Sequence, residues 1–173
     1  MLLTIPERGL VLLIGAAGSG KSTFARKHFA GTEVVSSDAL RAAVSDDEGD
    51  QSASADAFEL LRLVTAKRLR RGKLTVIDAT NVRKKARRSL LALAAQNSSP
   101  ATAIVFNLPV EVCLERNQSR PGRRVSPEVV ENQVADLLDS LPGLTGEGFD
   151  HLYVMENPED IDSATIRRVE SFG

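Results

Sequence analysis

Short apolar runs alternate along the chain with longer segments in which apolar positions recur at helical spacing. The runs Leu10–Ile14, Leu74–Ile77 and Thr102–Phe106 predict strands, and the continuous apolar character of Leu74–Ile77 predicts burial on both of its faces. Glu33–Ser36 predicts a short strand and Phe149–Met155 a last one. Between them the pattern predicts helices over Thr23–Phe29, then a short helix opened by Ser37-Asp38 that carries Leu40 and Arg41. A longer helix is predicted over Ala53–Arg71, where Ala57, Leu60, Leu61, Val64 and Leu69 share one side and Gly72 ends the segment. Further helices are predicted from Arg83 to Gln96, from Pro109 to Ser119 before the Pro121-Gly122 break, and from Ser126 to Ser140, with Ser126 as N-cap and Pro127 in the first turn. Ser45–Ser52 and Asn97–Pro100 read as loops. The tail from Pro158 to Phe172, with Ile161, Ile166 and Val169 loosely spaced, predicts a closing helix.

Strands alternating with helices imply an α/β domain with a mainly parallel sheet flanked by helices. Right-handed crossovers then bring the strand carboxyl ends to one edge, where chemistry belongs. The 173 residues are one domain's worth of chain, enough to bury about two-thirds of the unfolded surface. A net charge of −1 excludes a protein coated in positive potential, so any nucleic-acid contact has to come from local basic patches. The single cysteine, Cys113, has no internal partner and reads as a small core residue. Met1–Glu7 has no basic leader and no run approaches membrane-spanning length, so the expected setting is reduced and cytoplasmic, away from any membrane.

Gly15-Ala16-Ala17-Gly18-Ser19-Gly20-Lys21-Ser22 changes the picture from architecture to chemistry. It lies between an apolar strand and a helix, the context that G-x-x-x-x-G-K-S requires. The backbone of Gly15, Ala17, Gly18, Ser19, Gly20, Lys21, Ser22 and Thr23 is expected to cradle the phosphates of ATP or another nucleoside triphosphate. Lys21 supplies a point charge for the β- and γ-phosphates and Ser22 a hydroxyl for Mg²⁺, while the helix adds its positive dipole end.

The other candidates fall on the same edge. Asp38 and Arg41 are three apart on one helical face: Asp38 could take a proton from an attacking hydroxyl, or cap the helix, and Arg41 could hold an anion of the acceptor. Asp78 stands where an acidic residue orients Mg²⁺ through water. Thr80 and Asn81 are placed to meet the acceptor or to cap the next helix. Arg83-Lys84-Lys85 and Arg87-Arg88 put positive charge at a helix start, against the macrodipole, which points to an anionic partner or to a solvated basic face. Arg68, Arg70, Arg71 and Lys73 are assigned to solvent. Arg116 and Arg120, four apart, and Arg123-Arg124 past the break read as a helical lid over residues of about 116–140 that closes on the triphosphate; surface arginines are the alternative. Asp46–Asp50 is too irregular for a calcium loop.

Thr4-Ile5-Pro6, Gly18–Phe24, Ser36-Ser37-Asp38, Ser45–Glu48, Gly72–Val76, Asp78–Val82, Val105–Pro109 and Glu115-Arg116-Asn117, in this order, resemble the N-terminal kinase domain of the bacterial polynucleotide kinase-phosphatases that act in RNA repair with a methyltransferase partner. The similarity extends to about Pro158. It implies a P-loop phosphotransferase that moves the γ-phosphate of a triphosphate to 5′-OH ends of RNA or DNA. Lys21 and Ser22 would serve triphosphate and metal, Asp38 would be general base, Arg41 would hold the acceptor end, and Arg116, Arg120 and Arg123 would be lid arginines; Thr80, Asn81 and Arg83, from the residues alone, are the further acceptor candidates. In that family metallophosphatase and adenylyltransferase domains follow, so residues 1–173 are expected to be the N-terminal module of a longer protein. Pro121-Gly122-Arg123-Arg124 adds a second arginine to the family's pattern, so the pattern does not decide which of Arg123 and Arg124 meets the phosphates. A small-metabolite P-loop kinase and a nucleotide-controlled switch without transfer are the competing readings. With one tyrosine, six phenylalanines and no tryptophan, no stacking platform is evident, so acceptor recognition should lean on phosphate contacts.

Overall fold

The computed structural model describes residues 1–122 and 124–170. In chain order the elements are β1 (Leu2–Pro6), β2 (Leu10–Ile14), α1 (Lys21–His28), β3 (Val34–Ser36), α2 (Ser37–Ser45), α3 (Ser54–Arg70), β4 (Thr75–Asp78), α4 (Lys84–Gln96), β5 (Ala101–Phe106), α5 (Val110–Gln118), α6 (Pro127–Ser140), β6 (His151–Met155), α7 (Pro158–Ser163) and β7 (Thr165–Val169). Five strands form a parallel sheet in the order β3-β4-β2-β5-β6, giving the α/β architecture that the alternating pattern predicts. From the central β2 the chain departs to β3 and β4 on one side and later to β5 and β6 on the other. That reversal opens a crevice at the carboxyl ends.

β2 is buried along its length because both of its faces are covered. Val11 and Leu13 pack with Phe24, Phe29, Ile104 and Phe106, whereas Leu10, Leu12 and Ile14 pack with Leu61, Ile77, Leu90 and Val105. Burial of each such side chain contributes roughly 1.5–3 kcal/mol. Helix α6 joins the two layers: its Val130 and Val134 belong to the first cluster and its Leu137 to the second. In α3 the buried row is Ala57, Leu61, Thr65 and Leu69, a strict four-residue spacing that leaves Val64 exposed. No helix among the described residues is long and apolar enough to cross a membrane.

Three local expectations are corrected. The predicted closing helix stops at Ser163, and Thr165–Val169 forms β7, which pairs in parallel with Leu2–Pro6 in a separate two-stranded sheet. The Tyr153 hydroxyl binds this sheet to β6, accepting from the Thr4 N–H at 3.0 Å and donating to the Thr4 carbonyl at 2.8 Å. Ser36, one residue earlier than expected, caps α2 by accepting from the Ala39 N–H at 3.2 Å. Arg68 is not a solvent residue: its guanidinium donates to the Leu74 carbonyl at 2.7 Å and to Thr75 Oγ1 at 3.3 Å, closing the turn into β4.

Candidate active site

The phosphate loop spans the gap between β2 and α1, and its shape follows from two left-handed glycines, Gly18 at φ +80° and Gly20 at φ +96°. Gly15 is pinned by its N–H to the Thr80 carbonyl at 2.9 Å, and Ser19 by its N–H to the Ala16 carbonyl at 3.2 Å. Lys21 opens α1 with its side chain folded into the cradle, donating to the Ala16 carbonyl at 2.8 Å and to Ser19 Oγ at 3.4 Å. Ser19 and Lys21 are both buried, whereas Thr23 is exposed and accepts from Arg26 at 3.3 Å. The Ala17 N–H is bound from outside the loop, by Gln133 Oε1 of α6 at 2.9 Å.

Parallel register sets Asp78 beside Leu13 on one flank and Ser36 on the other. Ser22, Ser36 and Asp78 consequently line one cleft of about 340 Å³, with Arg26, Phe29 and Val34. Directly after Ser36, the first turn of α2 carries Asp38, which forms an ion pair with Arg41 one turn on. Both are partly buried, and Arg41 Nε also donates to the Glu48 carbonyl at 2.9 Å. The two side chains share one face of α2, as their spacing predicts, and Asp38 does not cap the helix.

On the other side of the loop lies α5. A Cβ on Gly18 would lie 2.3 Å from the Cys113 carbonyl oxygen, and one on Gly20 would lie 3.3 Å from Arg116 Nη1, so the helix backbone and this guanidinium border the cradle itself. Burial pushes the Cys113 thiol up, and the nearby Lys21 and Arg116 charges oppose that shift. The thiol is a core group, as its neighbours predict. Arg116 and Arg120 line a second cleft, of about 530 Å³, with Glu115, Ser119 and Pro158. Arg124 is exposed, with Nε donating to the Arg120 carbonyl at 3.3 Å; Arg123 lies outside the described residues.

The loop after β4 departs from expectation. Asn81 is buried at φ +51° and donates through Nδ2 to the Leu13 carbonyl at 2.8 Å, so its amide fastens this loop to β2 instead of capping α4. Thr80 is half-buried and contributes its carbonyl to Gly15. Arg83, not Thr80 or Asn81, occupies the N-cap of α4; its side chain is 82% exposed and reaches Asp136 of α6 at 3.5 Å. Arg87 leaves the basic series altogether: it is fully buried and bidentate to Glu147, with contacts of 2.8 and 2.6 Å. Sequence reasoning missed Gln133, yet a signal existed, since Gln133 borders the apolar stripe of Val130, Val134 and Leu137.

A glycine loop with its lysine and serine between strand and helix, at the switch point of a parallel sheet, defines a P-loop kinase-like α/β domain. Residues 10–144 match the family described as AAA domain, and the chain belongs to that family. Among solved structures it is similar to the Pnkp1/Rnl/Hen1 RNA repair complex, with 26% identity and a TM-score of 0.68 over 80% of this chain and 46% of that one. The chain thus spans about half the length of that relative. Chaetomium thermophilum Kti12 in complex with ADP-AlF3 is 19% identical with a TM-score of 0.66, over 88% of this chain and 93% of that one. The AvrRxo1-ORF1:-ORF2 complex with ATP is 17% identical with a TM-score of 0.68, over 90% and 56%. These last two share the fold. Among curated proteins none matches the chain significantly.

Proposed function

We propose that the chain is a polynucleotide 5′-hydroxyl kinase module that moves the γ-phosphate of ATP or another nucleoside triphosphate onto 5′-OH ends of RNA or DNA, in RNA end-healing. The observation that carries this reading is the Asp38–Arg41 pair, which opens α2 directly after Ser36, itself in the cleft with Ser22 and Asp78. The similarity to the Pnkp1 complex supports it. By the same analogy, phosphatase, adenylyltransferase and methyltransferase functions are the expected companions in a longer assembly.

The loop amides and Lys21 would hold the β- and γ-phosphates, and Arg116 and Arg120 would spread the charge that builds on the transferring group. The acceptor hydroxyl attacks phosphorus, its proton passes to Asp38, and the bond to the bridging oxygen breaks to release a nucleoside diphosphate. Arg41, sharing its guanidinium with Asp38, would anchor the acceptor's nearby phosphate, and Thr80 and Arg83 would be further acceptor contacts. The donor set suits Mg²⁺: Ser22 and Asp78 are hard oxygen donors that line one cleft. When bound, this ion would neutralise charge on the β- and γ-oxygens.

The test is labelled triphosphate with 5′-OH RNA, 5′-OH DNA and a panel of nucleoside and sugar acceptors. Both oligonucleotides should be labelled irrespective of sequence, because phosphate contacts position without reading bases, and Lys21→Ala should abolish the label. Preferential labelling of a small metabolite would replace this reading with a metabolite kinase. Triphosphate binding without transfer to any acceptor would make the chain a nucleotide-controlled switch.

A further inference from the structure

Arg87 heads the fully buried side chains by size, and the proposed transfer does not use it. Beyond its bidentate pair with Glu147, whose side chain is only 6% exposed, its Nη1 donates to the carbonyls of Asn81 at 2.9 Å and Val82 at 2.8 Å. A buried ion pair is by itself weak evidence of stabilisation, since apolar residues of similar volume often do as well. What apolar residues cannot do is hold two carbonyl groups in place. Those carbonyls belong to the short loop that leaves β4 immediately after Asp78. The same loop bonds the Gly15 N–H through Thr80, donates from Asn81 to Leu13, and receives the Ser140 hydroxyl on the Val82 carbonyl at 3.1 Å. One guanidinium therefore backs a loop that carries Asp78 at one end and grips the first residue of the phosphate cradle.

We infer that Arg87, held in place by Glu147, is a positioning residue that sets the Asp78–Val82 loop, and with it the Asp78 carboxylate and the Gly15 end of the cradle. The inference rests on the phosphotransferase reading only for its kinetic arm. Arg87→Ala strands a buried carboxylate and does not separate position from stability. The discriminating variant is Arg87→Met with Glu147→Leu, which fills the volume with apolar groups and leaves the two carbonyls without the guanidinium.

In this double variant the thermal midpoint should fall by only a few degrees, because the apolar pair offsets the lost ion pair while two carbonyls lose a donor. The Mg²⁺ concentration that half-saturates binding of a non-hydrolysable triphosphate analogue should rise about tenfold, the scale on which groups behind metal-facing side chains act. Transfer kcat should fall about tenfold with the oligonucleotide KM nearly unchanged, and hydrogen exchange at the Gly15 amide should quicken relative to Leu12. Arg87→Lys should show the same shifts, since one ammonium cannot span a carboxylate and two carbonyls. Wild-type Mg²⁺ dependence and wild-type Gly15 exchange in a folded variant would overturn the inference, and failure of both variants to fold would make the pair purely structural and overturn it as well. Absence of transfer by the wild-type protein would sink the kinase reading alone, because analogue binding and Gly15 exchange still decide the role of Arg87.

Discussion

Gly18→Ala puts the seating of α5 on the phosphate loop to a direct test. At φ +80° an alanine carries the left-handed penalty, roughly 1–2 kcal/mol. Its Cβ would also lie 2.3 Å from the Cys113 carbonyl oxygen and 3.1 Å from the Asn117 nitrogen, both backbone atoms of a helix whose Cys113 and Asn117 are buried. Restoring an ordinary contact of about 3.5 Å requires α5 to retreat by about 1 Å, a forced repacking that costs roughly 1–3 kcal/mol. The sum, about 3 kcal/mol, lowers the thermal midpoint of a chain this size by about 6–12 °C. The retreat also withdraws Arg116, which, on the proposed role of this guanidinium, should cost about a hundredfold in transfer rate for a 1 Å misplacement. Gly20→Ala is the internal comparison, because its Cβ meets only the flexible end of Arg116 at 3.3 Å and the backbone penalty stands alone. Gly143→Ala, with nothing within 4 Å, is the neutral control. Thermal unfolding by circular dichroism, beside triphosphate titration, reads all three. If Gly18→Ala melts no lower than Gly20→Ala, α5 does not rest on the loop as described.

Asp38→Asn should keep triphosphate affinity and lose about a hundredfold or more in transfer, the range of a general base; a loss of stability alone, with transfer intact, would make Asp38 structural. Arg116→Ala should cost more than about tenfold in transfer and Arg116→Lys should rescue it poorly, since the planar fork is lost, so wild-type turnover in Arg116→Ala would remove this guanidinium from the reaction. Glu33 is held below its ordinary value of 4.5 chiefly by hydrogen bonds from Arg168, at 2.6 and 2.7 Å. A depressed carboxylate stabilises the fold above the unfolded value and loses that contribution as pH falls through the folded one. Glu33→Gln should therefore cost about 0.5–1 kcal/mol near pH 7, Arg168 being partly exposed, and the gap to wild type should close below 4.5 in acid urea titrations; a constant gap down to about pH 3 contradicts the assignment.

The elements legible in the sequence are those specified locally. Leu10–Ile14 is a short apolar run ended by a glycine loop, which marks a buried strand, and the glycines before Lys21 need no distant partner to bend, so strand, loop and α1 follow from neighbouring residues. β1 and β7 escaped because each pairs with the other across nearly the whole chain, with Tyr153 bonding β1 and with Leu3, Ile5 and Ile166 packed on the core, while Arg167 and Arg168 give β7 an exposed look. Arg87 is the instructive case. Read along the sequence it is one of five basic residues at a helix start, but read around the helix it falls in line with Leu90 and Ala94, the buried stripe of α4. Gln133 falls likewise beside Val130, Val134 and Leu137. A polar side chain is kept on an apolar stripe only when a buried partner meets it. For Gln133 that partner is the Ala17 N–H of the phosphate loop, and for Arg87 it is a carboxylate 60 residues away together with two carbonyls of the loop behind Asp78. Helical phase marks such residues from sequence alone; their partners depend on the long-range folding of the chain, and the Ala17 N–H and the Asn81 and Val82 carbonyls lie in or beside the candidate site.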